Sequence, residues 1–191
     1  MNTEYTFEPV KLEVFLTNCM GSTLLQGYYS NFVNRLNIRE HDRILDYCSG
    51  SGVISAKIAR RLKSGQLVFA DVSRVWLSKA EKRMKKYRMA SGYHIEDFSG
   101  LIQGGNYDKI VIHFSLHDFP EAYQSRIIRQ MIQNLKPDGR LIIREPIGED
   151  HGMKLRELLN LMENAGRLAF EYSTFNKPLV GELVDVRCWL K

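Results

Sequence analysis

Cysteine is scarce and scattered. Cys19, Cys48 and Cys188 are odd in number and far apart, which excludes a disulfide framework and any close-spaced zinc pattern. Long apolar runs are missing too: none approaches the roughly 18 residues that a membrane-spanning helix needs. Residues 1–10 carry acids and no apolar core, unlike a secretory leader. These absences set the expectation of a reducing, cytoplasmic setting with no membrane span. There is no repeat, no low-complexity tract and no linker-like shift in composition. Charge of neither sign dominates, since 27 Lys and Arg against 22 Asp and Glu leave +5, which permits an acidic partner without demanding one.

What is present is enough for one folded domain. A chain of 191 residues, 44% hydrophobic and 26% charged, has the size and composition of a globular protein with a sizeable core. The most informative stretch is Ile44-Leu45-Asp46-Tyr47-Cys48-Ser49-Gly50-Ser51-Gly52. An apolar run breaks into small residues and then enters 53–62, where Ile54, Ile58, Ala59 and Leu62 share a helical face. This reads as strand, tight loop, helix. Glycine there lets a ligand approach the main chain, and the N–H groups that open the helix point at it.

The remaining chain alternates in the same way. Leu25, Tyr28, Tyr29, Phe32, Val33 and Leu36 form an i, i+3, i+4 stripe within 1–40, with Tyr28 and Tyr29 readable as core or as reaching over the glycine loop. Strands are expected at 43–47, 66–70, 93–96, 107–113 and 140–144. Asp71 closes the second strand, 19 residues past Gly52, where an acid can hold the two hydroxyls of a ribose. Ser73 is placed to cap a helix bearing Trp76, Leu77, Ala80, Met84 and Tyr87 inward and Lys79 to Arg88 outward, with Ser91-Gly92 as its stop. Pro120 fits the first turn of a helix whose buried face is Tyr123, Ile127, Met131, Ile132 and Leu135, stopped by Lys136-Pro137-Asp138-Gly139. A last helix spans about 153–165 and ends at Gly166. Alternation in 168–173 and 184–190 then predicts an antiparallel hairpin. Repeated strand–helix units imply an α/β fold, a parallel sheet with helices on both faces.

This order of motifs resembles the class I S-adenosylmethionine (SAM)-dependent methyltransferases, the small-molecule, UbiE-like group in particular, over residues 40–191. The 44–52 stretch matches the family's first motif, with Cys48 in place of the first of three glycines. Asp71 matches the ribose-binding acid, Asp97-Phe98 the adenine-reading pair, His113 to Phe119 the fourth motif, and Lys136 to Ile143 the turn and fifth strand, with Asp138 replacing a glycine. The resemblance implies a Rossmann-like core at 41–191 in a single domain, a helical cap at 1–40, and seven strands in the order 3-2-1-4-5-7-6 with the seventh antiparallel. It implies SAM as cofactor, with S-adenosylhomocysteine (SAH) as product. The cofactor-binding set it implies is Asp46, Cys48, Ser49, Gly50, Gly52, Asp71, Val72, Asp97, Phe98, His113, Ser115 and Tyr29. A dinucleotide is the rival cofactor, but its fingerprint needs a glycine where Ser55 stands.

Methyl transfer from a sulfonium needs a general base only when the nucleophile carries a proton. His117 is the candidate base, with Asp118 beside it as a second base or a helix cap. No metal site is expected. The place of the Asn/Asp-Pro-Pro-Tyr/Phe signature of nucleic-acid amine methylases reads His113-Phe114-Ser115-Leu116, and no cysteine pair suits attack on a pyrimidine. The expected acceptor is therefore a small molecule or a carrier. Methylation of RNA along Lys79 to Arg88, or SAM binding without turnover, stays open, as does a homodimer.

Overall fold

The computed structural model describes residues 26–96, 102–148, 152–166, 168–178 and 180–191. Its elements, in chain order, are α1 (Gln26–Arg35), β1 (Arg43–Tyr47), α2 (Val53–Ala59), β2 (Gln66–Asp71), α3 (Arg74–Met84), β3 (Ala90–His94), β4 (Tyr107–His113), α4 (Glu121–Asn134), β5 (Leu135–Pro146), α5 (Leu155–Asn164), β6 (Leu168–Lys177) and β7 (Gly181–Leu190). The strands form one seven-stranded sheet in the order β3-β2-β1-β4-β5-β7-β6. β2 and β3 pair parallel, as do β4 and β5, while β7 runs antiparallel to both β5 and β6. This is the expected α/β, Rossmann-like arrangement, terminal hairpin included.

By contacts the chain divides into two compact units: Met1–Asp42 with Asp46–Glu96, and Arg43–Leu45 with Asp97–Lys191. In the first, α1 buries Phe32, Val33 and Leu36 and leaves Tyr28 and Tyr29 half-buried. It is tied to α2 by Lys57 Nζ, which donates to Gln26 Oε1 and Ser30 Oγ, and by Arg61 to Asn34 Oδ1. Ile54, Ile58, Ala59 and Leu62 are all buried, as their spacing predicts. Ser73 caps α3, its Oγ accepting from the Trp76 N–H at 3.1 Å.

Three boundaries differ from the sequence reading. α3 ends at Met84, and β3 begins at Ala90, so Ser91 and Gly92 are strand residues and not a helix stop. A Cβ on Gly92 would stand 3.0 Å from a Phe69 ring carbon, so the glycine serves strand packing. In the second unit, the β4–β5 register slips between Tyr107 and Lys109, so the expected 136–139 turn is built into β5 as an irregularity. A Cβ on Gly139 would meet the Tyr107 carbonyl at 2.8 Å. The buried face of α4 is also rotated from the expected one. Ile127 and Met131 are buried, but Gln124, Ile128, Gln130 and Asn134 join them, while Tyr123 and Ile132 are half-buried. Asn134 is satisfied there by accepting from the Ile102 N–H and donating to the Gln130 carbonyl.

Candidate active site

The residues expected to act fall into two groups, one on each unit. In the first, β1 delivers Asp46 and Tyr47 to the glycine loop. Cys48, Gly50 and Gly52 adopt φ of +56°, +53° and +75°. The loop thus turns left-handed at every second residue, and cysteine occupies a conformation that costs a residue with a Cβ about 1–2 kcal/mol. Gly52 is also required by space: a Cβ there would lie 3.0 Å from Ala80 Cα on α3. Asp71 accepts the Gly50 N–H at 2.8 Å and the Ser73 N–H at 2.9 Å. Its carboxylate therefore clamps the loop to the start of α3.

Asp46 is 2% exposed and accepts a 2.5 Å hydrogen bond from Ser55 Oγ on α2. Burial pushes its carboxyl up to about 7; the Ser55 hydrogen bonds oppose that rise and the charge of Asp71 adds to it. Near neutral pH this group is poised between its two charge states, and a cation placed beside it would ionise it. Ser49 Oγ and Tyr47 Oη are buried without a hydrogen-bond partner. Val72 is half-buried, with its carbonyl 3.1 Å from His94 Nε2. Tyr29 meets Tyr28 edge-on at 5.4 Å, and burial raises its phenol. Asp97 and Phe98 lie outside the described residues.

The second group stands at the ends of β4 and β5. His113 pairs with Arg144 across the sheet and stacks on Phe114 at 4.4 Å. Desolvation by burial, then the Arg144 charge, push it down to about 3, so it is neutral. Arg144 is 1% exposed and donates to Asp185 on β7 at 2.5 and 2.6 Å, with Phe175 beneath its guanidinium. Ser115 Oγ is buried and unpartnered, while the Ser115 and Leu116 N–H groups donate to Glu145 Oε1 at 3.0 and 2.8 Å. The other Glu145 oxygen accepts from His117 Nδ1 at 2.5 Å. His117 Nε2 faces Asp118 Oδ1 at 3.3 Å. Burial opposes the charged imidazole, but the hydrogen bond and charge of Glu145, with the charge of Asp118, outweigh it and raise His117.

Glu145 escaped the sequence reading, which ends the fifth strand at residue 144. Its signal was its place: an acid at the carboxyl end of a strand in an α/β sheet, where ligands gather. Glu145 fixes His117 as a dyad in which Nδ1–H is held and Nε2 lies on the other side of the ring, near Asp118.

Residues 44–139 match a protein family described as a methyltransferase domain. A demethylmenaquinone methyltransferase of Lactobacillus johnsonii is 23% identical over 134 residues, covering 68% of this chain and 54% of its own. A ubiquinone/menaquinone biosynthesis C-methyltransferase, UbiE, of Pseudomonas entomophila is 26% identical over 183 residues, covering 93% of this chain and 66% of its own. The chain thus spans between about half and two thirds of these relatives. Among solved structures, an S-adenosylmethionine-dependent methyltransferase from Clostridium acetobutylicum shares the fold at a TM-score of 0.72 and 12% identity, with 95% of this chain and 98% of that one covered.

Proposed function

The chain belongs to the methyltransferase-domain family, and from that premise we propose that it transfers a methyl group from SAM to a small hydroxylated acceptor, with His117 as general base. The observation that carries this reading is the His117–Glu145 pair, 2.5 Å apart, with Glu145 pinned by two backbone N–H groups. Such a dyad serves a nucleophile that must lose a proton.

The glycine-loop group fits the cofactor. Asp46 would face the ammonium of the methionine part, a cation that discharges the cost of ionising a buried carboxyl. Asp71 would accept from the ribose hydroxyls. The unpartnered Ser49 hydroxyl and the left-handed loop would line the carboxylate side. Gly50, Gly52 and Cys48 shape the loop, and Val72, Tyr29, His113, Ser115, Asp97 and Phe98 complete the proposed set. Bound there, SAM would supply an electrophilic methyl group and would be released as SAH.

The rest is done by the chain. Glu145 holds Nδ1–H and so presents Nε2 as the acceptor of the hydroxyl proton. The nucleophile forms its bond to carbon as that proton arrives on Nε2. The imidazole rim, 21% exposed, then returns the proton to solvent. The named relatives act, by their names, in ubiquinone and menaquinone biosynthesis, and this supports an aromatic acceptor. Removing a proton from a ring hydroxyl activates both the oxygen and the adjacent ring carbon, so the dyad serves O- and C-methylation alike. The site is proposed to act in the cytoplasm.

The test is transfer of an isotopically labelled methyl from SAM to a panel of phenols and hydroquinones. His117→Ala and Glu145→Gln should each lower kcat by about 100-fold or more, with SAM affinity unchanged. Full activity in His117→Ala would overturn the base assignment.

A further inference from the structure

Residues 53–89, which build α2, β2 and α3, hold eleven Lys and Arg against two acids, Asp71 and Glu81. The whole chain stands at +5, so the remainder is net acidic. Asp71 is 4% exposed and already accepts from the Gly50 and Ser73 N–H groups. Elsewhere cations meet acids: Lys136 faces Asp108, Arg144 faces Asp185 and Arg187 faces Glu171. Within 53–89, Lys63 faces Glu40 and Arg74 faces Glu96. Arg60, Arg61, Lys82, Lys85, Lys86 and Arg88 have no acid partner among the described residues.

The fold gathers these cations. α2 leaves the glycine loop at Gly52, beside Ala80 of α3. About two turns later, Arg60 Nε donates to Tyr87 Oη at 3.2 Å. Lys86 Nζ stands 5.3 Å from the centre of the Tyr87 ring. Tyr87 thus joins the far end of α2 to the chain just past α3. Arg60, Lys82, Lys85, Lys86 and Arg88 are exposed there. The crowding reaches Lys57: burial, then the charges of Arg60 and Arg61, hold its ammonium below the ordinary value. Like charges gathered without acids oppose the compact state, and a bound polyanion relieves them.

The kind of polyanion follows from what the surface lacks. A protein partner is anchored by a buried apolar or aromatic side chain, and a helix lying on lipid inserts an apolar face. α3 buries Leu77, Ala80 and Met84 in its own fold. Among the described residues the large apolar side chains that stand exposed are Val75 and Tyr172, and neither lies among these cations. The occupant must therefore bind by charge. A flexible single strand offers phosphates in series and can follow cations that stand on two elements.

We infer that the far ends of α2 and α3 form a docking surface for the phosphate backbone of single-stranded RNA, held by charge and without reading sequence. The surface lies about two turns of helix from the glycine loop, so it concerns docking, and it rests on neither the SAM site nor the His117 base.

The test is fluorescence anisotropy of labelled oligouridine with the full chain, between about 50 and 200 mM salt. Wild type should bind saturably, with log affinity falling against log salt at a slope of about −3, the release expected for about four phosphates on a single strand. Lys82→Gln, Lys85→Gln and Lys86→Gln combined should make the slope shallower by about 2, with thermal unfolding and SAM affinity unchanged. Lys154→Gln, an exposed cation on α5, should bind as wild type does. Absence of saturable binding, a slope that the triple variant leaves unchanged, or an equal loss in Lys154→Gln would overturn the inference. Tighter binding to phosphatidylserine vesicles than to the oligonucleotide would overturn it in favour of a lipid surface.

Discussion

Asp46 is the residue whose chemistry is most sharply constrained. Its folded value of about 7 lies above the ordinary 3.8, so the native state holds a proton that the unfolded chain releases. Stability therefore falls as pH rises from about 4 to 7 and is level above that. Asp46→Asn should abolish this decline and be more stable than wild type at pH 8 by more than about 1 kcal/mol, as measured by urea unfolding at a series of pH values. His117, whose folded value is raised, adds stability below about 6.5 that fades as pH climbs through it. That contribution is common to both proteins and cancels in their difference. The same carboxyl links binding to protons. At pH 6.5, SAM binding should release protons as Asp46 ionises, seen as a buffer-dependent calorimetric heat. The release should vanish at pH 8 and in the asparagine variant. Asp71→Ala should weaken SAM by at least about tenfold, or 1.4 kcal/mol; unchanged affinity there would remove the ribose role.

At the scale of elements, the glycine loop and the β5–β7 pair do different work. Gly52 combines φ of +75° with a Cβ position 3.0 Å from the α3 backbone. Gly52→Ala should cost about 1–3 kcal/mol in a denaturant titration and spoil the loop. Arg144 and Asp185 are registered opposite each other on β5 and β7 and form a buried ion pair. Arg144→Met alone strands a buried carboxylate and should cost about 3–5 kcal/mol; Arg144→Met with Asp185→Leu should cost markedly less. The loop was legible in the sequence because its signal is local: small residues between an apolar run and a helical stripe. The sheet order was legible through the motifs' resemblance and the alternation in β6 and β7. Glu145 was not, because its partner is 28 residues away and only the β4–β5 register brings the two together. Gly92 misled for a related reason. Read locally it stops a helix, but its lost side chain is demanded by Phe69, a packing fact that no spacing announces. The buried amides of α4 escaped likewise, since Asn134 and Gln124 are buried by virtue of what they hydrogen-bond, not by periodicity.

For the whole molecule, the proposal assigns SAM binding to the glycine loop and proton acceptance to the His117–Glu145 pair. Its activity should rise with pH along a limb set by the raised value of His117, because the imidazole must lose its proton to act. Glu145→Gln should shift that limb to lower pH while lowering the plateau. The measurement that tests the central claim most directly is calorimetric titration of the intact protein with SAM, SAH and NADH. The expected result is saturable one-to-one binding of SAM and SAH, weakened at least about tenfold in Asp71→Ala, and no binding of NADH. Binding of NADH with indifference to both sulfur compounds would contradict it.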